Sequence, residues 1–208
     1  MEVTHELPGW SLVWCRLEVR PSAFEAAAAV RARAADVARA RFAAQSLTDV
    51  PVVAEVRRLF RAAGTDPTRY RPSSEALLRR VLKGEELAAI HPLVDLNNCL
   101  SISLAVPSCV MPEGSFSPPI RLRAGREGER FDSLRGSFDL EGKPLLEDRE
   151  GPFGTPISDS LRVAVAAESR KGWMVVYFPA GERAEDAVRR QLEELSSLAT
   201  SSDLFVSE

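Results

Sequence analysis

The order of apolar and polar positions predicts both helices and strands along this chain of 208 residues. Apolar side chains at helical spacing predict helices over 22–44, 51–63, 73–83 and 183–198. Short apolar runs between turn residues predict strands over 10–19, 120–124, 145–147, 161–166 and 173–178. The residues from 196 onward show neither pattern, and we expect the tail to fray. Helices and short strands in this mixture predict an α+β fold.

The segment between residues 51 and 84 is strongly basic. It carries eight arginines and lysines against three carboxylates, although the net charge of the whole chain is −3. At ~100° per residue, three basic side chains of each of its two helices fall within one arc of the helix surface. Phosphate binding needs several cations on one surface, but a solvated helix face has the same pattern, so both interpretations stay open. The predicted RNA-binding residues are Arg57, Arg58, Arg61, Arg71, Arg79, Arg80 and Lys83.

Composition narrows the class of protein. Hydrophobic residues make up 45% and charged residues 27%, which is typical of a soluble globular domain. No apolar run approaches the ~20 residues of a membrane span, and the N-terminus has no secretory signal pattern. Three irregularly spaced cysteines and two histidines form neither a disulfide framework nor a zinc motif. We therefore expect a reduced, cytoplasmic protein with no metal and no cofactor.

One segment is ambiguous by periodicity alone. In CLSISLAV, residues 99–106, apolar and small residues alternate as in a strand. Leu93, Leu96, Leu100 and Leu104 fit one face of a helix equally well. The two templates match the same residues, so the pattern itself does not decide between them.

Two stretches carry a family resemblance: PLVDLNNCLSISLAVP at 92–107 and IRLRAGREGERFDSL at 120–134. Together they resemble the B3/B4 domain of the phenylalanyl-tRNA synthetase β subunit, and the likeness covers about residues 65–168. Weaker echoes follow at Asp148 and Gly151, and the helix at 73–83 looks like the opening helix of archaeal-type members. The matching residues are Val94, Asp95, Asn98, Pro107, Ile120, Arg123, Ala124, Gly128, Glu129 and Leu134.

The resemblance implies a fold and an activity. It implies a β-sandwich of short strands flanked by helices, with residues 93–104 helical rather than extended. In the synthetase this domain removes mischarged tyrosine from tRNA in a pocket between its two halves. An aminoacyl ester is already activated, so a positioned water, oxyanion donors and a steric filter suffice for its hydrolysis. A Ser-His-Asp arrangement is therefore not required.

The resemblance also identifies candidate pocket residues, and two of them depart from the family pattern. Bacterial members place a His eleven residues after the motif Asn, where this chain has Cys109. Their Gly-Gly-Glu segment aligns near GTPISDSLR, whose nearest carboxylate is Asp159. The predicted pocket residues are Asn98, Ser101, Cys109, Ser158, Asp159 and Ser160, and no residue is assigned a catalytic role.

Two functions follow as expectations. The first is a deacylase that hydrolyses mischarged tRNA in trans; the second is a non-catalytic module that binds RNA, a small molecule or a protein through the same pocket. In both cases tRNA or aminoacyl-tRNA is the expected partner, with a free amino acid as a further candidate and no membrane. We divide the chain into an N-terminal extension at 1–64, a B3/B4-like domain at 65–200 and a frayed tail at 201–208.

Overall fold

The computed structural model describes residues 1–181 and 183–208. Within those residues it has five α-helices: α1 (Ala23–Phe42), α2 (Pro51–Ala62), α3 (Ser73–Leu82), α4 (Pro92–Leu104) and α5 (Ala184–Glu194). The strands are β1 (Val3–His5), β2 (Trp10–Val19), β3 (Ser108–Pro112), β4 (Ile120–Ala124), β5 (Arg130–Ser133), β6 (Gly136–Asp139), β7 (Pro144–Asp148), β8 (Gly151–Gly154), β9 (Lys171–Pro179) and β10 (Ala199–Ser207). The predicted α+β class is confirmed.

Two four-stranded sheets organise the molecule. The first has the order β10-β2-β9-β3 and is antiparallel throughout. The second has the order β1-β4-β7-β8, in which only β1 and β4 run parallel. Strands β5 and β6 form a separate hairpin. Helices α4 and α5 pack against the first sheet, and α1 packs on α4 and α3, so the main core lies between this sheet and the helices.

The N-terminal strand lies inside the first sheet. Its sequence WSLVWCRL is an almost unbroken apolar run, and residues 10–15 are all buried. Such a run is typical of a strand that is covered on both faces. Trp14 stacks on Phe205 of β10 at a ring distance of 6.4 Å. The N-terminal segment is therefore an integral part of the sheet, while a domain boundary at residue 64 stays a prediction.

Two local predictions are wrong. Residues 161–166 were expected to form a strand, but Leu161–Val163 is a 3-10 turn, which begins where the Ser160 hydroxyl accepts a hydrogen bond from the Arg162 backbone. The tail expected to fray instead forms β10, which pairs with β2. Sheet pairing and the Phe205 ring order this polar segment, and neither contact is visible in its local pattern.

The ambiguous segment is helical. Helix α4 covers 92–104, as the family resemblance implied and the alternation did not. Pro92 occupies its first turn and the His91 ring accepts a hydrogen bond from the Leu93 backbone, which caps the N-terminus. No helix among the described residues is long and apolar enough to cross a membrane.

Candidate functional site

The candidate site lies where β3 meets the loop after β8. Cys109 is in β3, opposite Val175 of β9, and its Sγ lies 3.8 Å from the Tyr177 hydroxyl. Asp159 returns from the loop and pairs with Gly154 through an isolated antiparallel bridge. A Cβ placed on Gly154 would lie 3.3 Å from Asp159 Oδ1 and 3.6 Å from Cys109 Sγ. Two predicted pocket residues, Cys109 and Asp159, therefore meet across a glycine.

The carboxyl group of Asp159 is in an unusual environment. The residue as a whole is half-buried, but its Oδ1 atom is buried and has no hydrogen-bond partner among the described residues. Loss of solvation raises the pKa of this carboxyl to about 7, although the nearby Cys109 thiol and Thr155 backbone act in the opposite direction. A carboxyl with a pKa near neutrality can accept or release a proton at physiological pH.

Cys109 is not an activated nucleophile in this arrangement. Its residue is 1% exposed, and burial raises the pKa of its thiol well above the ordinary value, with the nearby Asp159 charge as a smaller cause. The pKa of the neighbouring Tyr177 hydroxyl is also raised by burial. A reactive thiolate needs cationic or helix-N-terminal surroundings, so Cys109 serves as a small buried side chain that shapes the site.

The loop at 155–158 is held by its own polar groups. The Thr155 hydroxyl donates to the Ser158 carbonyl at 2.7 Å and accepts from the backbone of Ile157 and Ser158. The Pro156 carbonyl accepts a hydrogen bond of 2.9 Å from the Ser73 backbone at the start of α3. This contact fixes the N-terminus of a basic helix beside the Asp159 loop.

The serines near Asp159 have structural roles in this conformation. Ser158 closes the Thr155 turn through its backbone, and the Ser160 hydroxyl caps the 3-10 turn that follows. On α4, the Ser101 hydroxyl donates to the Val106 carbonyl at 2.8 Å and so ties the end of the helix to the chain entering β3. Among the described residues, none of these three predicted pocket residues forms a hydrogen bond with the buried Oδ1 of Asp159.

Asn97, and not the predicted Asn98, forms the hydrogen bonds to the chain at the start of β3. Asn98 is half-buried, and its side chain has no hydrogen bond among the described residues. Asn97 is 7% exposed, donates to the Ser108 carbonyl and accepts at its own backbone from the Ser108 hydroxyl. Its Oδ1 is buried without a partner in the described part of the chain. Asn97 thus braces the residue before Cys109, and the pocket role of Asn98 stays a prediction.

The seven predicted RNA-binding residues divide into three groups. Arg57 is 9% exposed and bonds to Glu75 and the Pro67 carbonyl, so its place on the basic surface is a correction: it fills a buried position. Three are exposed but ion-paired: Arg58 with Glu55, Arg79 with Glu75, and Arg80 with Glu85. Three others are exposed and form no ion pair among the described residues: Arg61, Arg71 and Lys83.

The two best-formed surface cavities among the described residues both lie away from Asp159. One of about 570 Å³ lies at the N-terminus of α5 and includes Ser11 and Arg183. The other, of about 340 Å³, is an apolar groove between α1 and α5. Among the described residues, no cluster of three or more His, Cys, Asp or Glu side chains could hold a metal ion.

Comparison with protein families identifies the group to which this fold belongs. A family described as the B3/4 domain matches residues 55–200, which is more than half of the chain. The chain belongs to the B3/4 domain family. The B3/B4 resemblance noted in the sequence is therefore confirmed. No curated protein matches the chain.

Among solved structures, the chain resembles an N-terminal fragment of the phenylalanyl-tRNA synthetase β subunit from Pyrococcus horikoshii. The sequence identity is 17%, and the TM-score is 0.43. The match covers 56% of this chain and 45% of the fragment, so the chain spans less than half of that fragment.

The B3/4 motif residues mostly serve the fold in this chain. Arg123 is 2% exposed and forms bidentate pairs with Glu129 and Glu147. These contacts lower the pKa of both carboxyls. Asp148 pairs with Arg162, and Asp95 on α4 pairs with Arg31 on α1. These carboxylates are held in buried or partly buried ion pairs, which leaves Asp159 as the carboxyl without such a partner at the candidate site.

Proposed function

We propose that this B3/4 domain binds aminoacyl-tRNA in the cytoplasm and receives its aminoacyl end beside Asp159. The observation that carries the proposal is the buried, unpartnered Asp159 oxygen, which meets Cys109 across Gly154. An unpartnered buried polar atom costs free energy and is a common mark of a functional position. The matched family supports a nucleic-acid role of the kind found in aminoacyl-tRNA synthetases.

The proposed reaction is hydrolysis of the aminoacyl ester. The Asp159 carboxylate accepts a proton from a water molecule, and the water oxygen attacks the ester carbonyl carbon. The bond between that carbon and the ribose oxygen breaks, and the ribose oxygen takes up the proton from Asp159. A base with a pKa near 7 is suited to this exchange at neutral pH. A side chain at position 154 would crowd the Asp159 carboxyl, since its Cβ would lie 3.3 Å from Oδ1, so the glycine keeps that oxygen uncovered on this side.

The basic surface supports the RNA part of the proposal. Arg71 lies two residues before the start of α3, whose first residue is bonded to the Asp159 loop. Lys83 follows the last residue of the same helix, and Arg61 lies near the end of α2. Exposed cations without a carboxylate partner are the ones available to neutralise phosphates. We expect these three residues to hold the body of the RNA.

The deciding experiment is a deacylation assay on a panel of charged tRNAs, with purified protein in excess. We expect faster loss of ester for at least one aminoacyl-tRNA. Asp159→Asn should slow that loss by about 100-fold, a typical contribution of a general base, while tRNA binding is kept. Cys109→Ala should keep most of the rate, because the thiol is not activated. Equal rates for the wild type and Asp159→Asn would contradict the proposed chemistry.

A second candidate, a non-catalytic RNA-binding module, is favoured by a different observation. Cys109 and Tyr177 are almost completely buried, and the two surface cavities described above lie elsewhere. A site this closed needs a rearrangement of the 155–160 loop before an ester can reach Asp159. Under this function the protein binds charged and uncharged tRNA with equal affinity and leaves the ester intact, so the same panel separates the two candidates.

A further inference from the structure

The cavity at the start of α5 is a second place where a ligand can be held. It has a volume of about 570 Å³, which is within the range of small-molecule sites. Its lining comes from β2, β10 and the first turn of α5, together with Glu208 after β10. Ser11 is the lining residue of β2, and Arg183 and Asp186 are among those at the start of α5.

Ser11 places an unpartnered hydroxyl on the wall of this cavity. The residue is 1% exposed, and its Oγ forms no hydrogen bond among the described residues. The ring of the preceding Trp10 packs on Phe60 and Tyr177. Because side chains alternate along a strand, Ser11 points to the other face of the sheet, where α5 packs on β2 and β10. A serine hydroxyl turns readily among its staggered positions, so it can reach a group in the cavity.

This hydroxyl indicates a missing partner. A buried hydroxyl that makes no hydrogen bond costs free energy, and native structures contain few such groups. A ligand that accepts a hydrogen bond from Ser11 removes that cost when it binds.

The start of α5 supplies further hydrogen-bond donors to the same cavity. The first N–H groups of this 11-residue helix have no acceptor within the helix, and the side chain of the N-cap residue Arg183 does not cap them. The exposed guanidinium of Arg183 forms no ion pair among the described residues. Helix N-terminal N–H groups beside a guanidinium bind a carboxylate well. This part of the cavity therefore favours an anionic group.

The cavity also has carboxylates of its own, so a simple anion fits it poorly. Glu185 pairs with Arg189 at 2.7 Å. Asp186 and Glu208 are exposed, and neither forms an ion pair within the described part of the chain. These two carboxylates repel a dianion such as phosphate. A ligand that carries an ammonium group as well as a carboxylate finds a partner for each.

We propose that this cavity binds a small zwitterion, a free α-amino acid. Its carboxylate accepts hydrogen bonds from the Ser11 hydroxyl, the first N–H groups of α5 and Arg183. Its ammonium group pairs with Asp186 and Glu208. The cavity lies away from Asp159, so this site does not depend on the proposed RNA function, and either proposal can fail without the other.

The test is isothermal titration calorimetry of the full chain with the standard L-α-amino acids, each added singly. We expect at least one of them to bind with a Kd of about 1 mM or tighter. Its N-acetyl derivative lacks the ammonium charge and its methyl ester lacks the carboxylate, so each should bind at least about 10-fold more weakly. The proposal is refuted if no amino acid binds at about 10 mM, or if the N-acetyl derivative binds as tightly as its parent.

Substitutions locate the bound amino acid. Ser11→Ala and Arg183→Gln should each weaken its binding by about 10-fold, as loss of one hydrogen bond to a charged group does. Arg190→Gln is the matched control, since Arg190 is exposed on α5 but does not line the cavity. Equal affinities of the wild type, Ser11→Ala and Arg183→Gln would place the amino acid elsewhere and refute the site.

Ser11→Ala also separates ligand binding from a role in folding. Because the hydroxyl has no partner, its removal should leave the free energy of unfolding without ligand unchanged or raise it. Chemical denaturation measures this difference. Lower stability of Ser11→Ala, together with unchanged affinity for the amino acid, would show that the hydroxyl serves the fold and would overturn the proposal.

Discussion

At the scale of single residues, similar side chains have opposite roles because of their surroundings. Asp148 and Asp159 are both acids near β8, but their pKa values shift in opposite directions. Burial acts to raise the pKa of Asp148, but hydrogen bonds from Arg162 and from backbone donors outweigh it, so the pKa is lowered. Burial raises the pKa of Asp159. Arg57 and Arg58 are adjacent on α2, yet Arg57 is buried and Arg58 is exposed. Each pair differs because of partners that are distant in sequence, and amino-acid composition does not show those partners.

The raised pKa of Asp159 predicts a pH dependence of stability. Its ordinary pKa is 3.8 and its folded value is about 7. Between these values the folded state binds more protons than the unfolded state, so the free energy of unfolding falls as pH rises. Asp159→Asn should remove this fall. Urea unfolding from about pH 5 to pH 8 checks it.

The difference between the wild type and Asp159→Asn isolates the contribution of Asp159 to the pH dependence of stability. The pKa values of His5 and His91 are lowered mainly by burial, so these groups make both proteins more stable as pH rises. Their contribution cancels in the difference. Parallel pH curves for the wild type and Asp159→Asn would show that the carboxyl titrates normally in the folded state.

The buried Glu75 predicts a large stability effect. Glu75 is 0% exposed and bonds to both Arg57 and Arg79. Glu75→Ala leaves the buried Arg57 guanidinium without its carboxylate, which should cost about 3–5 kcal/mol in the free energy of unfolding. Glu55→Ala breaks the exposed pair with Arg58 and should cost at most about 1 kcal/mol. Chemical denaturation measures both, and equal losses would contradict the difference in burial.

At the scale of elements, α1 organises the helical layer through its arginines. Arg39 donates to the Val81 carbonyl at the end of α3, and Arg41 donates to the Ser103 carbonyl near the end of α4. Arg33 reaches the Glu194 carbonyl at the end of α5. Cations that bond the last carbonyls of a helix are favourable there. These arginines do not form one stripe on the surface of α1, because each one bonds a carbonyl of a different neighbouring helix.

The basic residues on and beside α2 and α3 predict that the affinity for tRNA depends on salt concentration, and that the unpaired and the ion-paired residues contribute differently to this dependence. We expect the triple change of Arg61, Arg71 and Lys83 to Gln to flatten the plot of log affinity for tRNA against log salt by about two units, since each neutralised phosphate contributes about 0.7–0.9. The control changes the ion-paired set, Arg58, Arg79 and Arg80, to Gln. Because these cations already have carboxylate partners, the slope should change less.

Binding titrations at several salt concentrations measure the slopes of both variants. Equal slopes for the two triple variants would mean that the ion pairs open when RNA binds. A slope that neither triple variant changes would mean that these side chains form a solvated helix face.

At the scale of the whole molecule, the first sheet joins the two ends of the chain. β2 from the N-terminal segment lies between β9 and the C-terminal β10. The family match begins at residue 55, after β2, α1 and the start of α2. The segment that looked like an extension therefore supplies a central strand and the helix that packs on α4 and α3.

A shortened chain of residues 55–208 should therefore fail to fold. The truncation removes β2, which pairs with nine residues of β9 and with most of β10. It also exposes the apolar faces that β2 and α1 cover. We expect a cooperative thermal transition for the full chain and none for the shortened chain, as measured by circular dichroism. Cooperative unfolding of the shortened chain would mean that residues 1–54 are a separable extension.

The local pattern of apolar residues by itself predicted most helices and the strands with strong apolar runs. In each of these elements the apolar residues lie on one face or in one short run. Residue spacing alone left 92–104 undecided, and the family resemblance resolved it correctly. The placement of β10 and the 3-10 turn at 161–163 depended on pairing and capping by distant or following groups. The candidate site divides in the same way: the resemblance pointed to Cys109 and Asp159, but the fold decided that they meet over Gly154. The fold also decided that Arg57 is buried and Asn97 is the bracing amide, since burial and partners depend on which segments pack together.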